Sequence, residues 1–240
     1  MLDMMLSSEF EQAGAALQHV NWQQASANVL DERLDGAPVR QFAAREHVCY
    51  EGDRKFHVYK VEIGAVCLYK TTPDGRRQIV DFAYPGDYVG LGALDTHVFS
   101  AQAISPTRLK CLAVAALRQR AERDPRLGLK LYEAVSHELQ AARDLLVTVG
   151  QRNATGRVAA FLLALSRRNE RDGHDPGTFV LPMTRSDIAD FLSLTIETVS
   201  RTFSKLKLQG LIDLPHSAVV EILDAKALEE LASGDKGGRI

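Results

Sequence analysis

The amino-acid sequence predicts an α+β protein in which an antiparallel β-roll is followed by a long helix and a C-terminal winged helix-turn-helix. Three patterns indicate this order. Short segments of alternating apolar and polar residues come first, apolar residues spaced by three and four follow, and two short capped helices lie towards the C-terminal end. Alternation is typical of strands, and spacing by three and four is typical of helices.

The composition is that of a soluble globular protein. The chain has 240 residues, of which 45% are hydrophobic and 25% are charged, and this length accommodates one large domain or two small ones. No apolar run approaches the roughly 20 residues that a membrane helix needs. The N-terminus carries acidic residues where a signal peptide carries basic ones. We therefore expect a cytoplasmic protein with no membrane partner.

Cysteine content and net charge exclude further classes. The three cysteines (Cys49, Cys67 and Cys111) are too few, and odd in number, for a disulfide framework. A net charge of −2 gives no overall attraction to nucleic acid. A nucleic-acid partner would therefore have to be recognised by a local site.

The same patterns divide the chain into five parts. They are an N-terminal helical arm (1–35), the β-roll (36–123), the long helix (124–151), the winged helix-turn-helix (152–233) and a flexible tail (234–240). Within the roll, Val58–Ile63 alternates, Gly64 breaks the pattern and Ala65–Tyr69 resumes it. A turn at Thr72–Gly75 follows, and Arg76–Phe82 alternates again. Proline fixes one backbone angle of such a turn and Asp-Gly tolerates left-handed angles, so a hairpin is expected. Arg108–Val114 supplies a further strand.

The long helix is predicted to begin at Pro125 with Asp124 as its cap. Beyond this point apolar residues recur at intervals of 3, 4, 3, 4 and 3: Tyr132, Val135, Leu139, Ala142, Leu146 and Val149. Such a heptad pattern is typical of a helix–helix seam between two chains. The alternative is a helix packed onto its own roll, and the periodicity alone does not decide between them.

Residues 184–209 predict two short helices joined by a tight turn. Thr184 caps the first helix, with Asp187 three residues later as in a capping box, and Ile188 and Leu192 form its buried stripe. Thr195 caps the second helix. These features, followed by a strand pair at 211–214 and 218–223 whose tip is a wing, predict a helix-turn-helix.

The second helix has one apolar and one polar face. Its apolar residues are Ile196, Val199, Phe203 and Leu206. The opposite face carries Glu197, Ser200 and Arg201, which helical spacing brings together near the N-terminus. The remaining candidates for contact with bases or phosphates are Thr195, Ile196, Thr198, Thr184, Arg185 and Lys205.

The chemistry of the polar face suits reading of base edges in double-stranded DNA. The first turns of a recognition helix enter the major groove. There the guanidinium of Arg201 matches the two acceptors of guanine, and the carboxylate of Glu197 accepts from the cytosine amino group. The alternative is a solvated helix face on which Glu197 and Arg201 pair with each other. The paired caps and the wing favour DNA binding.

In order and spacing, these segments resemble the CRP/FNR family of bacterial transcription regulators over about residues 40–225. Gly64–Tyr69, Asp74–Phe82 and Pro85–Leu91 look like the family's roll strands and turn. Glu197-Thr-Val-Ser-Arg201 is similar to the E-x-x-S-R reading motif of the FNR type, and the segment Leu181–Arg201 most resembles the FixK branch.

The resemblance implies a cyclic-nucleotide-binding-like roll and a homodimer joined by the 125–150 helix, with the six heptad residues as its interface. It also implies a TTGAT-N4-ATCAA-like palindrome as target and RNA polymerase as partner. The expected role is that of an activator in oxygen- or nitrogen-linked gene control.

Two departures argue against the family's known effectors. A cyclic-nucleotide pocket needs Gly-Glu-Leu and Arg-Ser segments, whereas this chain has Gly90-Leu91-Gly92 and Phe99-Ser100. An iron–sulfur cluster needs four thiolates, whereas the chain has three cysteines and none in residues 1–48. We therefore expect no cofactor and no metal.

Two alternatives stay open. Haem, nitric oxide or a metabolite could gate the same DNA-binding function from the roll, with His47 and Cys49 as conceivable ligands. A cupin-like ligand module or enzyme is the less favoured alternative, because cupin metal sites need several converging histidines. The sequence has no H-x-H pair, Ser-His-Asp arrangement or Walker motif, so we expect no enzyme activity.

Overall fold

A computed structural model describes residues 36–92 and 94–234, and it confirms the predicted α+β class. The predicted arm at residues 1–35 lies outside the described residues, and so does the predicted tail beyond Gly234. Gly234 itself ends the last helix in a left-handed conformation, with φ at 75°. Across the described ranges, no helix combines the length and the apolar character needed to cross a bilayer.

The roll consists of two four-stranded antiparallel sheets, one in the order β1-β8-β3-β6 and the other in the order β2-β7-β4-β5. The strands are β1 (Val39–Phe42), β2 (His47–Cys49), β3 (His57–Ile63), β4 (Val66–Thr71), β5 (Arg77–Ala83), β6 (Tyr88–Val89), β7 (Ser100–Ala103) and β8 (Thr107–Ala113). Apolar side chains of both sheets meet in one core, in which Val61, Val66 and Leu109 are fully buried.

The turn between β3 and β4 depends on Gly64, where the sequence predicts a break. Its φ is +87°, a value that favours glycine. A Cβ at this position would lie 2.5 Å from the carbonyl oxygen of Pro106. Close approach of the two backbones therefore fixes glycine here.

Part of the roll was not predicted. Strands β1, β2, β6 and β7 span two to four residues each, too few to show an alternating pattern. The predicted strand through Val114 is wrong at its last residue, because helix α1 (Val114–Arg123) begins there. Helix α1 buries Leu117 against the roll and places Arg120 and Arg123 in its last turn, where cations are favoured by the helix dipole.

The long helix α2 (Pro125–Gln151) begins where the sequence predicts. The Asp124 side chain accepts a hydrogen bond from the backbone N–H of Arg126 at 3.1 Å. The helix ends because Arg152 is extended, and the side chain of Asn153 then caps the next helix. Two non-helical residues thus connect α2 to the C-terminal half.

Helix α3 (Ala154–Arg171) is longer than predicted. The sequence predicts a helix over 157–168 and an exposed loop over 169–177, and the loop prediction is wrong for residues 169–171. The side-chain amide of Asn169 donates to the carbonyl oxygens of Asp175 and Thr178, at 3.2 and 3.3 Å. These bonds hold the last turn of α3 against the chain that follows it.

The C-terminal half contains the two predicted short helices and a small antiparallel sheet. Its further elements are β9 (Thr178–Val180), α4 (Arg185–Leu192), α5 (Ile196–Leu208), β10 (Ile212–Asp213), β11 (Val219–Ile222) and α6 (Ala225–Ser233). The sheet order is β10-β11-β9, so the predicted strand pair gains a third strand that the sequence did not reveal.

The two halves pack directly against each other. Phe82 of β5 contacts Phe191 of α4, with ring centroids 5.1 Å apart, and Phe191 also contacts Phe161 of α3 at 5.8 Å. Cys67 and Ile79 of the roll belong to the same buried cluster as the C-terminal helices. The roll therefore forms part of the support on which the helix-turn-helix rests.

Candidate nucleic-acid interface

Helix α4 begins with the capping box that the sequence predicts. The backbone N–H of Asp187 donates to the Thr184 hydroxyl at 3.1 Å, and the backbone N–H of Thr184 donates to the Asp187 carboxylate at 2.9 Å. Two free amides at the helix start are satisfied in this way. Ile188, Ala189 and Leu192 of the same helix are buried, as the predicted stripe requires.

The turn between α4 and α5 is held in a left-handed conformation. Ser193 has a φ of 53°, and the guanidinium of Arg157 on α3 donates to the carbonyl oxygens of Leu192 and Ser193 at 3.0 and 3.3 Å. The Thr195 hydroxyl then accepts from the backbone N–H of Thr198 at 3.2 Å. A charge-assisted clamp and a cap therefore fix where α5 starts.

Helix α5 presents a buried face and an exposed face. Val199, Phe203 and Leu206 are at most 1% exposed, as predicted. Ile196 differs, because 47% of it is exposed: the crossing helix α4 covers α5 only beyond its first turn. Ile196 therefore lies at the open tip of the helix rather than in the core.

Glu197, Ser200 and Arg201 all lie on the exposed face. The Nε of Arg201 donates to the backbone carbonyl of Glu197 at 3.3 Å, and among the described residues no ion pair joins the two side chains. The backbone N–H at the helix start and the Thr195 hydroxyl lower the pKa of Glu197 below its usual value. At neutral pH the tip thus carries a full anion and a full cation side by side.

The other predicted contact residues occupy different environments. Thr184, Thr195 and Lys205 are exposed, although the hydroxyls of both threonines already serve as caps. The Thr198 hydroxyl lies 3.1 Å from that of Thr195. Arg185 packs over the ring of Phe203 at 3.5 Å, and burial lowers its pKa to about 10.

The wing is tied to both helices. The guanidinium of Arg185 donates to the carbonyl oxygen of Ser217 at the wing tip, at 3.5 Å. Lys207, near the end of α5, pairs with Asp213 of β10 at 2.9 Å. Arg185 and Lys207 therefore connect the two helices to the wing.

A second exposed surface follows one side of α2. Tyr132, Leu139 and Leu146 are 70%, 50% and 74% exposed and lie seven residues apart. Val135 and Ala142 are also exposed, and Val149 is partly exposed. The six heptad residues thus form a stripe that the roll leaves largely open, which is the arrangement a seam between two helices requires.

A cavity of about 360 Å³ lies between the roll, α2 and α4. Its lining includes Val89, His97, Phe99, Glu138, Leu139 and Phe191. Its wall also contains Asp81 of β5, whose pKa is raised to about 6 by burial and by the neighbouring carboxylate of Asp87. Glu138 of α2 remains exposed overall, and partial desolvation at the cavity wall, together with these carboxylates, raises its pKa above the usual value.

The cysteines and His47 are engaged in the roll. All three cysteines are free and buried, and burial raises the pKa values of Cys49 and Cys67 to about 11. The His47 ring lies 2.9 Å from the Tyr69 hydroxyl, and a bulge separates it from Cys49. Among the described residues no group of three metal-ligating side chains occurs.

Several residues that shape this interface carry no local signal in the sequence. Arg157 lies 35 residues before the turn to which it donates hydrogen bonds. Arg77 and Gln78 of β5 contact α4, which lies more than a hundred residues further along the chain. Capping and periodicity act within a few residues, so neither pattern could have identified these contacts.

Comparison with known proteins agrees with this architecture. Residues 156–231 match the family model of the Crp-like helix-turn-helix domain, and residues 39–124 match that of the cyclic nucleotide-binding domain. The chain is similar to the nitrogen fixation regulation protein FixK of Bradyrhizobium diazoefficiens, with 42% identity over 83% of this chain and 88% of the relative.

Two further similarities cover comparable lengths. The transcriptional activator protein FnrL of Cereibacter sphaeroides is 34% identical over 83% of this chain and 82% of the relative. The structure of FixK2 from Bradyrhizobium japonicum superposes with a TM-score of 0.77 and 35% identity, over 81% of this chain and 96% of that chain.

The raised pKa of Asp81 generates a test of the cavity wall. Above about pH 6 the folded protein holds this carboxylate in its ionised form, which lowers the free energy of unfolding. This destabilisation disappears below the ordinary pKa of an aspartate. We expect Asp81→Asn to raise the free energy of unfolding at pH 7.5 by about 1–3 kcal/mol, and by about half as much at pH 5.

Urea unfolding of both proteins at the two pH values measures this difference. The amide oxygen that replaces the carboxylate would still accept the hydrogen bond that the Phe82 backbone N–H donates to Asp81. Asp95→Asn, at an exposed position of the same roll, is the control. A gain that did not shrink at the lower pH would contradict the assignment.

Proposed function

The chain belongs to the CRP/FNR family of transcription regulators, on its FixK branch, and we propose that it binds a TTGAT-N4-ATCAA-like palindrome as a homodimer. The observation that carries the proposal is the tip of α5. There Glu197, Ser200 and Arg201 are exposed together, on a helix whose opposite face is fixed in the core.

The roles of the three side chains follow from their chemistry. The guanidinium of Arg201 donates two parallel hydrogen bonds to guanine, and the carboxylate of Glu197 accepts one from a cytosine amino group. The Ser200 hydroxyl and the methyl groups of Ile196 suit thymine. Lys205 and the backbone amides that the caps leave free at the starts of α4 and α5 contact phosphates, which set the register of the protein on DNA.

Dimerisation through the stripe on α2 explains why so much apolar surface is exposed there. Leu146 and Tyr132 are among the most exposed large apolar residues of the described chain, and surfaces of this kind mark interaction sites. A two-fold axis along α2 presents two reading helices to two half-sites, and a palindrome has the matching symmetry.

The names of the relatives support the physiological role. FixK is named as a regulation protein of nitrogen fixation, and FnrL is named as a transcriptional activator. We propose that this chain, too, activates transcription through contact with RNA polymerase, in oxygen- or nitrogen-linked gene control in the cytoplasm.

The residues that line the cavity support DNA binding without cyclic AMP. Phe99 stands where a cyclic nucleotide pocket of the family has its arginine, and the titratable groups of the wall include Asp81 and Glu138. A cyclic phosphate would meet carboxylates and an apolar ring in place of a cation, which disfavours a buried anion by several kcal/mol. The three buried thiols are too few for an iron–sulfur cluster, so the proposed activity requires neither cyclic AMP nor such a cluster.

The volume of the cavity favours one second candidate, a ligand that gates the same DNA-binding activity. About 360 Å³ lies within the range of small-molecule sites, and the apolar and acidic wall suits a neutral or cationic organic molecule. Haem is tested by the absorption spectrum of freshly purified protein: a Soret band would replace the cofactor-free proposal with this one.

The main test is binding of the purified protein, without effector, to a TTGAT-N4-ATCAA duplex in a fluorescence assay. We expect specific binding that weakens steeply between low and moderate salt, because phosphate contacts release counterions. Arg201→Ala should lower the discrimination between the palindrome and a duplex altered at the guanine by about 1–3 kcal/mol per half-site.

Lys205→Ala is the matched control, because it also removes one cation from α5. Loss of a phosphate contact weakens binding to all duplexes about equally and reduces the salt dependence. Equal discrimination in the Arg201→Ala variant and the wild type would show that Arg201 reads no base. Failure of the wild type to prefer the palindrome would overturn the proposed target.

The proposed interface is tested by the double variant Tyr132→Lys, Leu146→Lys. Charges at both positions oppose burial of the stripe, so we expect monomers in sedimentation and a large loss of affinity for the full palindrome, because avidity is lost. Leu208→Lys is the control for sedimentation, since Leu208 is 90% exposed and lies outside the stripe. A double variant that still sedimented as a dimer would place the interface elsewhere.

A further inference from the structure

Strand β5 of the roll is fastened to the helix-turn-helix through polar contacts that the DNA-reading chemistry does not use. We propose that Arg77 and Gln78 are positioning residues for DNA recognition: they fix the orientation of the reading helix relative to the roll and thereby select the half-site spacing. The inference rests on the proposed function, because it takes the chain to bind two half-sites as a dimer.

The Arg77 side chain bridges two carboxylates of α4. Its Nε donates to Asp190 at 2.9 Å, and its Nη2 donates to Asp187. All three side chains are less than a third exposed. Charge-assisted bonds in such a partly dry setting are stronger than surface ion pairs, and one guanidinium thereby joins the roll to two consecutive turns of α4.

Asp187 has a second role that makes this contact specific. One of its oxygens accepts from the Thr184 backbone in the capping box, and the other accepts from Arg77. The start of α4 and its attachment to the roll therefore share one carboxylate. Rotation of α4 away from the roll would leave this anion partly buried without its cation.

Gln78 extends the contact to the turn of the motif. Its Nε2 donates to the carbonyl oxygen of Asp190 at 2.6 Å, and its Oε1 accepts from the Ser193 hydroxyl at 3.3 Å. Ser193 is the left-handed residue shortly before the cap of α5. Gln78 thus connects the roll to the point from which the reading helix projects.

The turn that follows β5 is anchored to α3. Arg168 pairs with Asp87 at 2.9 Å and donates to the carbonyl oxygen of Pro85 at 3.3 Å. Between these two anchors, Phe82 packs on Phe191. Strand β5 and the turn after it therefore hold the C-terminal half at three separated points, which restricts rotation as well as translation.

The covalent connection alone would not fix this orientation. Only Arg152 and Asn153, both in extended conformations, link α2 to α3. Each base pair added between two half-sites shifts them by about 3.4 Å and turns them by roughly 35°. A dimer whose reading helices are fixed to the rolls accepts one spacing, whereas a dimer with freely turning reading domains accepts several.

The test is the affinity of the full-length protein for four duplexes: the N4 palindrome, one with a spacer shorter by a base pair and two with longer spacers. We expect the wild type to prefer N4 by about tenfold or more, and Arg77→Glu, which repels Asp187 and Asp190, to reduce the preference to about threefold or less. Affinity for a single half-site should not change.

Arg76→Glu is the matched control. It makes the same change in net charge at the neighbouring position, where the arginine is exposed and pairs with Asp74, and we expect it to keep the wild-type preference. The double variant Arg77→Glu, Asp190→Arg restores one of the two ion pairs and should recover part of the preference. Gln78→Ala, a milder change, should lower it without unfolding the chain.

The outcomes separate this inference from the proposed function. A wild type that bound the palindrome with no spacer preference, or variants that kept the preference in full, would overturn the positioning role while leaving the target intact. Tighter binding by Arg77→Glu would show that the contact inhibits binding, which also overturns it. A wild type that ignored the palindrome would overturn the proposed function itself.

Discussion

The reading surface depends on burial of the opposite face of helix α5. An isolated helix of 13 residues is marginal in water, and in proteins most helical stability comes from packing of an amphipathic face. Val199, Phe203 and Leu206 supply that face. Because burial of these residues stabilises the helix, the residues on its exposed face are not needed for stability and are available for binding.

The support of α5 extends well beyond its own domain. Helix α4 packs beneath α5, Arg157 of α3 holds the turn between them, and β5 contacts α4 through Arg77, Gln78 and Phe82. The roll is therefore a structural part of the DNA-binding unit. Phe191 lies both in this contact and in the cavity wall, so the interior of the roll and the helix-turn-helix share a side chain.

The sequence predicted those features that depend on neighbours within a few residues. The caps Thr184 and Thr195, the break at Gly64 and the start of α2 at Asp124 all follow from local backbone requirements, and the structure confirms each of them. The heptad stripe on α2 was predictable for the same reason, because its apolar residues recur at regular intervals along one helix. Identification of the family also followed from short, ordered segments.

What the sequence could not predict depends on residues far apart in the chain. The exposure of Ile196 follows from where α4 crosses α5, and the environment of Asp81 follows from the packing of α2 over the roll. Strand β9 has three residues and exists only because β11 lies beside it. The ion pairs of Arg77 join elements separated by 110 residues or more, a distance at which no pattern in a single sequence carries information.

The burial of Cys49, Cys67 and Cys111 has a practical consequence. With pKa values well above neutral, the thiols remain protonated and react slowly with alkylating agents, since the thiolate is the nucleophile. All three lie in the roll, and the 129 residues after Cys111 contain none. In the native chain, the rate at which a maleimide modifies the cysteines therefore measures local opening of the strands of the roll. It carries no information about the C-terminal half, which contains no cysteine.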